Sequence, residues 1–314
     1  MLEDNMYPTD RISLRELSLR DGLQMTKTYP STDDKIKLIQ MMYEAGVTHF
    51  EVGSFLPVKT FPQFADIRTL IAFVADLPDA YSTALTLNER AMDDALETPL
   101  DEMVIALSAT EEHCQANINR SRDSAVDLIR TAVEKRKTSS WNPMIASAIS
   151  VSFGCSISGD VDPDDVLELA MKCAEAGADQ IAIADTVGFA GPKQVHELSK
   201  MVVSHLGDLP IVVHLHDTRG TGIANAYAAL DAGVRVLDGT LGGLGGCPFA
   251  PGATGNVSFE DLVYLCERSG FPTGIDLEKL IKARNFLSTI LPGEQLYGTI
   301  SKAGTPSQIT WQST

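Results

Sequence analysis

Basic charge is the first thing this sequence lacks. Its 25 Lys and Arg residues face 42 Asp and Glu, for a formal net charge of −17 at pH 7. Binding a phosphate backbone needs a basic footprint, and no dense run of Lys or Arg supplies one, so a nucleic-acid partner is excluded. An anionic small molecule is not excluded, because it needs only a few local cations or a metal ion; most of the acidic excess reads as solubility. Long apolar runs are missing too, which rules out a membrane-spanning helix. The amino-terminal MLEDNMYPTD is acidic and polar, unlike a secretory signal or an Arg-rich transit peptide, and a cytoplasmic protein is expected. Cysteine is sparse and odd in number: Cys114, Cys155, Cys173, Cys247 and Cys266. No CxxC pair occurs, which excludes a zinc ribbon or a thioredoxin-type dithiol and leaves reduced, mostly buried thiols. Neither a P-loop nor a glycine-rich dinucleotide loop after the first strand is present, and this counts against the main doubly wound nucleotide-binding folds.

What is present is a regular alternation of segments, in a chain whose 44% hydrophobic and 21% charged content is ordinary for a globular protein. ISLRELSLR (12–20), HFEVGSF (49–55), YSTALTL (81–87), DEMVIALSA (101–109), MIASAISVSF (144–153), DQIAIAD (179–185), LPIVVHLHD (209–217) and RVLDGTL (235–241) read as strands. Between them lie helical patterns: one capped around Ser31 and stopped at Gly46, one over about 61–75, NERAMDDAL, and a long one reaching Arg136. Three more cover 162–177, 191–207 and 222–233, and the first two of these carry Pro near the first turn. Apolar strands separated by helices pair in parallel with the helices outside. Eight such units without a linker predict an α/β fold, a single (β/α)8 TIM barrel over 1–314. The barrel takes about 12–268, an additional C-terminal helix about 276–291, and a patternless tail 292–314.

In such barrels chemistry sits at the C-terminal ends of the strands. Those ends carry Arg20-Asp21-Gly22-Leu23-Gln24, then Glu51 and Lys59, then Ser108, Glu111, His113 and Asn117. Asp185-Thr186, His214-Leu215-His216-Asp217, and a loop with Cys247 and Asn256 follow. The opposite ends are expected to carry no comparable set. His214 and His216 share one face of a strand. Closure of the barrel brings the last strand beside the seventh and the first, so that Asp21, His214, His216 and Asn256 converge. A carboxylate, two imidazoles and an amide oxygen suit an octahedral Mg²⁺ or Mn²⁺ better than a closed tetrahedral zinc site. The bland alternative is a pair of core histidines. Gly242, Gly243, Gly245, Gly246, Gly252 and Gly255 exceed what a turn requires, and they suit a cover that moves or passes close to a ligand. Cys247, in its middle, is placed for proton transfer.

RDGLQ (20–24), EVGSF with Pro57 and Lys59, DTVG (185–188), HLHDT (214–218) and GGLGGCPFAPGATGN (242–256) together resemble the 3-hydroxy-3-methylglutaryl-CoA lyase family, within the metal-dependent barrel lyases and Claisen-type synthases. The resemblance runs from Ile12 to about Leu291. It implies Asp21, His214, His216 and Asn256 as ligands of Mg²⁺ or Mn²⁺, Arg20 at the reacting oxygen, Cys247 on the lid, and Glu51 and Asp185 inside the cavity. It also implies an acyl-CoA substrate, with Asn117 and Gln24 toward the CoA portion, and Cys155 at a family position without an assigned role. A homo-oligomer, dimer or tetramer, is expected.

The implied reaction is cleavage of a 3-hydroxyacyl-CoA bearing a free carboxylate, with Asp185 or His214 as base and Cys247 as proton donor. Met25, LPVKT (56–60), Ala184, Ala190 and Arg219 depart from the family pattern, mostly where substrate is sorted. Citramalyl-CoA or a longer-branched glutaryl-CoA is therefore an alternative to 3-hydroxy-3-methylglutaryl-CoA, and Arg219 reads either as an added anion contact or as an exposed helix-start residue. A synthase condensing acetyl-CoA with a 2-oxo acid is the second alternative, disfavoured by Leu23 where such synthases tend to have glutamate. A non-catalytic binding barrel is the third.

Overall fold

In a computed structural model of the protein, which describes residues 6–8, 10–246 and 255–306, eight parallel strands close into a barrel in sequence order. They are β1 (Ser13–Glu16), β2 (His49–Ser54), β3 (Tyr81–Thr86), β4 (Glu102–Ser108), β5 (Met144–Ser150), β6 (Gln180–Asp185), β7 (Ile211–Leu215) and β8 (Val236–Gly239). Closure is made by β1 against β8, in a register running from Ser13 opposite Val236 to Glu16 opposite Gly239. The expected (β/α)8 barrel is the observed one.

The helices are α1 (Thr32–Glu44), α2 (Ile67–Ala75), α3 (Glu89–Leu96), α4 (Glu111–Ile118), α5 (Arg122–Arg136), α6 (Pro163–Glu175), α7 (Pro192–Leu206), α8 (Gly222–Asp231), α9 (Phe259–Arg268), α10 (Leu277–Ile290) and α11 (Ile300–Ala303). Their starts follow local chemistry. Ser31, Asn88, Thr110, Ser121, Asp162 and Asp276 each accept a backbone N–H of the first turn, satisfying a donor the helix cannot. Inner helix faces such as Leu38, Ile39 and Met42 of α1 lie at 0% exposure against the outer faces of the strands. That layer is the main hydrophobic core.

Four local expectations are corrected. First, β1 ends at Glu16 instead of reaching Arg20, and Ser18–Gly22 form a π-helical turn. Second, the long helix reaching Arg136 is two: α4 stops where Asn119 turns left-handed (φ 55°), and Ser121 caps α5. Third, the helix over 61–75 begins as a short 3₁₀ turn at Pro62–Phe64 before α2. Fourth, the tail, expected without a pattern, carries the short helix α11, and the Asp261 carboxylate accepts N–H groups of Thr299 and Ile300 at its start (2.9 Å each).

A further correction concerns the floor of the barrel, where no charged set was expected. Arg15 spans the interior, with Nε and Nη2 on the two oxygens of Asp238 (2.7 and 2.9 Å) and Nη1 3.3 Å from Glu102 Oε2. Glu102, the first residue of β4, also accepts from the Tyr7 hydroxyl (2.7 Å) and Thr83 Oγ1 (2.9 Å). Turned to its satisfied orientation, the Gln180 amide donates to Glu102 and accepts from Arg15. Met6 and Tyr7 plug the strand bottoms, Tyr7 stacking on His49 while the Met6 carbonyl lies 2.6 Å from His49 Nε2.

Candidate active site

The site begins with the π turn after β1. Burial lifts the Glu16 carboxyl to about 7, against the pull of Ser18 and the Leu241 N–H. Glu16 bonds both the Ser18 hydroxyl and its N–H, and Leu241 N–H donates to Glu16 Oε1 at 3.1 Å. This clamp ties the turn to the loop leaving β8. Gly22 N–H closes the turn onto the Leu17 carbonyl at 3.1 Å, an i→i+5 bond of the kind that often re-aims side chains at functional sites. Arg20 and Asp21 are thereby pointed at the barrel mouth.

Asp21 meets the two histidines there. One ligand atom from each of Asp21, His214 and His216 lies within 4.8 Å of the others. His214 Nε2 and His216 Nε2 stand 3.1 Å apart, and His216 Nε2 is 3.9 Å from Asp21 Oδ2. Two nitrogens bound at right angles about 2.1 Å from one octahedral ion would be about 3 Å apart, so the observed spacing fits a shared divalent cation. The charge states fit as well. Burial and the neighbouring His214 hold His216 down at about 4, which keeps its imidazole neutral. Burial works to raise Asp21, but Arg20 and the two histidines outweigh it and hold the carboxyl at about 2.

Asn256 joins this group. Past the glycine loop the chain returns beside β7, where residue 256 bridges to His216 and Val257 N–H donates to Leu215 O at 3.2 Å. Asn256 Nδ2 donates to Asp21 Oδ2 (2.5 Å), while its Oδ1 is buried without a partner among the described residues. A buried amide oxygen left unpaired at this point is the donor atom that an ion would take. Gly245 is required by the same approach: at φ 125° an added Cβ would lie 2.8 Å from Asn256 Nδ2. The four predicted ligands are thus brought together.

Arg20 completes the mouth. Its Nη1 donates to Asp21 Oδ1 (2.6 Å), and its Nε is 2.7 Å from Glu51 Oε1. Burial outweighs Arg20 and lifts Glu51 above the usual carboxylate range. Behind the ligands, His214 Nδ1 faces Asp238 Oδ2 at 3.1 Å. Burial opposes ionisation of Asp238, but Arg15 and His214 prevail and hold it well below the usual range.

Arg20, Asp21, His214, His216 and Asp238 line one cavity of about 330 Å³. Gln24, Glu51, His113 and Asn117 line it too, His113 held by Ser108 Oγ at 2.8 Å. Part of its lining is apolar: Leu85, Leu87, Val104, Ala106, Ala148 and Ala182. Arg15 and Asp238 form part of the floor. Neither was singled out from sequence, although strand parity points both inward, alternating with Leu14 and Leu237.

Other predicted residues lie elsewhere. Asp185 is outside the cavity lining, and its two oxygens accept Phe189 N–H (2.8 Å) and Ala190 N–H (3.2 Å), an arrangement that holds a loop. Burial still raises it above the usual range. Arg219 does not line the cavity; it is exposed in the turn before α8, as the helix-start reading expects, and it is bonded there. Its Nη1 donates to the Val187 and Gly188 carbonyls (3.0 and 2.9 Å), and its guanidinium lies over Phe189. Met25 is half exposed and Ala190 buried, while Ala184 does line the cavity. Cys155 is buried, its sulfur accepting from Thr110, Ile157 and Ser158. Cys247 and Gly252 lie outside the described residues.

The HMGL-like family model matches residues 11–287. The chain belongs to that family. It is 37% identical over 306 residues to the (R)-citramalyl-CoA lyase of Chloroflexus aurantiacus, covering 94% of this chain and 95% of that protein. Against the hydroxymethylglutaryl-CoA lyase of Bacillus subtilis it is 33% identical over 281 residues, covering 90% and 93%. The solved HMG-CoA lyase of Acinetobacter baumannii, in complex with coenzyme A and 3-methylmalate, superposes with a TM-score of 0.88 at 34% identity over 96% of this chain and 98% of that one. The protein is accordingly an HMG-CoA lyase-like enzyme, an acyl-CoA lyase built on a TIM barrel with a candidate Asp/His/His metal site.

Proposed function

We propose that the enzyme cleaves a 3-hydroxyacyl-CoA carrying a free carboxylate, releasing acetyl-CoA, and that it uses Mg²⁺ or Mn²⁺ held by Asp21, His214, His216 and Asn256. The observation that carries this reading is the convergence of ligand atoms of Asp21, His214 and His216 beside Arg20 in one cavity lined partly by apolar side chains, with Asn256 hydrogen-bonded to Asp21. When bound, such an ion supplies a template and a Lewis acid for the substrate's hydroxyl and carboxylate oxygens. Loss of the 3-hydroxyl proton lets the oxygen lone pair form a carbonyl as the C2–C3 bond breaks, and the released pair becomes the enolate of acetyl-CoA. Arg20 stabilises the developing negative oxygen, held in place by Glu51. Both ring nitrogens of His214 face partners, Asp238 and His216, which suits a ligand better than a base. Asp185 is occupied by two backbone donors. Glu51 lines the cavity beside Arg20 and burial lifts it above the usual carboxylate range, and we read it as the acid–base partner of the hydroxyl. Cys247 on the glycine loop protonates the enolate carbon in this reading, and Gln24 and Asn117 face the CoA portion.

The substrate read first is 3-hydroxy-3-methylglutaryl-CoA, cleaved to acetyl-CoA and acetoacetate. Citramalyl-CoA, cleaved to acetyl-CoA and pyruvate, has a specific observation in its favour: the relative of that name is 37% identical, against 33% for the Bacillus enzyme. Incubating the protein with Mg²⁺ and each ester separately distinguishes them by the keto acid released. Release of neither, with acetyl-CoA consumed alongside a 2-oxo acid, would replace the lyase by a synthase.

A further inference from the structure

We infer that Asp238, held by Arg15, is a positioning residue that fixes the His214 imidazole with its proton on Nδ1 and its Nε2 lone pair turned to the ligand cluster. This rests on the reading of His214 and His216 as metal ligands.

Three observations support it. Asp238 Oδ2 lies 3.1 Å from His214 Nδ1, and a carboxylate acceptor there leaves Nδ1 as the donor. The opposite ring nitrogen points at His216 Nε2, 3.1 Å away, on the side of Asp21. Asp238 itself has no freedom to turn, because the Arg15 guanidinium grips both of its oxygens at 2.7 and 2.9 Å. Asp238 and Arg15 are 3% and 6% exposed, so solvent does not compete for these bonds. Arg15 is anchored on its other side by Glu102, which Tyr7 and Thr83 fix in turn. The immediate footing of the imidazole is therefore Asp238 with its two bonds from Arg15, and Glu102, Tyr7 and Thr83 belong to the barrel floor beyond it. Orienting a ligand in advance removes an ordering cost from ion binding and also selects its tautomer.

The test uses apo protein, Mn²⁺ and electron paramagnetic resonance of the free ion, with ¹⁵N-histidine NMR as a second readout. In the wild-type apo protein His214 is expected as the Nδ1–H tautomer, which needs no variant to observe. Asp238→Asn is expected to weaken Mn²⁺ binding by about 10–100-fold and to let the His214 tautomer redistribute. Glu102→Gln breaks the same buried cluster one step further from the mouth, and is expected to lower the unfolding midpoint while leaving the tautomer and Mn²⁺ affinity unchanged. An Nε2–H tautomer in the wild type would overturn the inference, as would Mn²⁺ affinities that fall equally in both variants. Failure of the wild type to bind Mn²⁺ at all would instead remove the metal reading beneath it.

Discussion

Two arginines in this barrel each face two carboxylates, and they serve different ends. Arg15, at the floor, joins Asp238 and Glu102 in a cluster whose donors and acceptors close on one another, with side-chain exposures of 7%, 3% and 0%. Arg20, at the mouth, joins Asp21 and Glu51, but its surroundings do not close. Among the described residues Asn256 Oδ1 and His216 Nδ1 are buried without partners, beside the same cavity of about 330 Å³ whose floor Arg15 and Asp238 help to form. Buried charge is costly unless it is paired and hydrogen-bonded. A satisfied cluster therefore holds the barrel together, while an incompletely satisfied one is poised to bind something that completes it.

The sharpest way to break this contrast is to remove a ligand at the mouth. His216→Ala is expected to lose Mn²⁺ binding by more than the roughly 10–100-fold that outer partners cost, and acetyl-CoA release with it. Retained binding would show that the mouth is merely another structural cluster. Next in size, Arg20→Gln is expected to lower kcat by about 10²–10³-fold, the cost of removing one oxyanion donor. A comparable rise in KM with kcat unchanged would place Arg20 in substrate binding instead. At the floor the order of effects reverses. Arg15→Met leaves Asp238 and Glu102 buried beside no cation and is expected to cost about 3–5 kcal/mol of stability, read by urea unfolding of the apo protein.

Glu16, which clamps the π turn to the β8 loop, sharpens the contrast through pH. Burial raises its folded pKa from 4.5 to about 7. Between those values the folded chain keeps a proton that the unfolded chain has lost, so this contribution is fully present below pH 4.5 and is lost as pH rises through 7. Relative to Glu16→Gln, the wild type is expected to lose up to about 3 kcal/mol of stability on going from pH 4.5 to pH 8. A constant difference between the two unfolding curves would contradict it. The smallest effect is at Arg219, which holds two carbonyls and a phenyl ring. Arg219→Ala is expected to change kcat and KM by less than about twofold while costing about 1 kcal/mol of stability. A large rise in KM would return Arg219 to the substrate.

How much of this was readable in advance depended on range along the chain. The His214–Leu215–His216 spacing places two imidazoles on one face by strand geometry alone, and the caps at Ser31, Ser121 and Asp162 are local chemistry. Barrel closure followed from the rhythm of strands and helices, and it carried Asp21 to the histidines. The floor was not readable in the same way. Arg15 and Asp238 are 223 residues apart in sequence, and their meeting depends on the exact register of β1 on β8. The π turn was hidden because LSLR continues the alternation of a strand, and only the bonds from Glu16 bend it away. Asp185 and Arg219 had the residue types of a site, but nearby backbone donors and carbonyls claimed them. That competition is invisible until the loop after β6 is folded.

The central claim, that the mouth is a divalent-metal site for acyl-CoA cleavage, is tested most directly by titrating Mn²⁺ back into chelator-treated protein while following acetyl-CoA release from 3-hydroxy-3-methylglutaryl-CoA and from citramalyl-CoA. The predicted result is no release after chelation and a return of activity with one of the esters that saturates at one Mn²⁺ per chain. Cleavage that persists through chelation, or activity that returns in His216→Ala as fully as in the wild type, would contradict it.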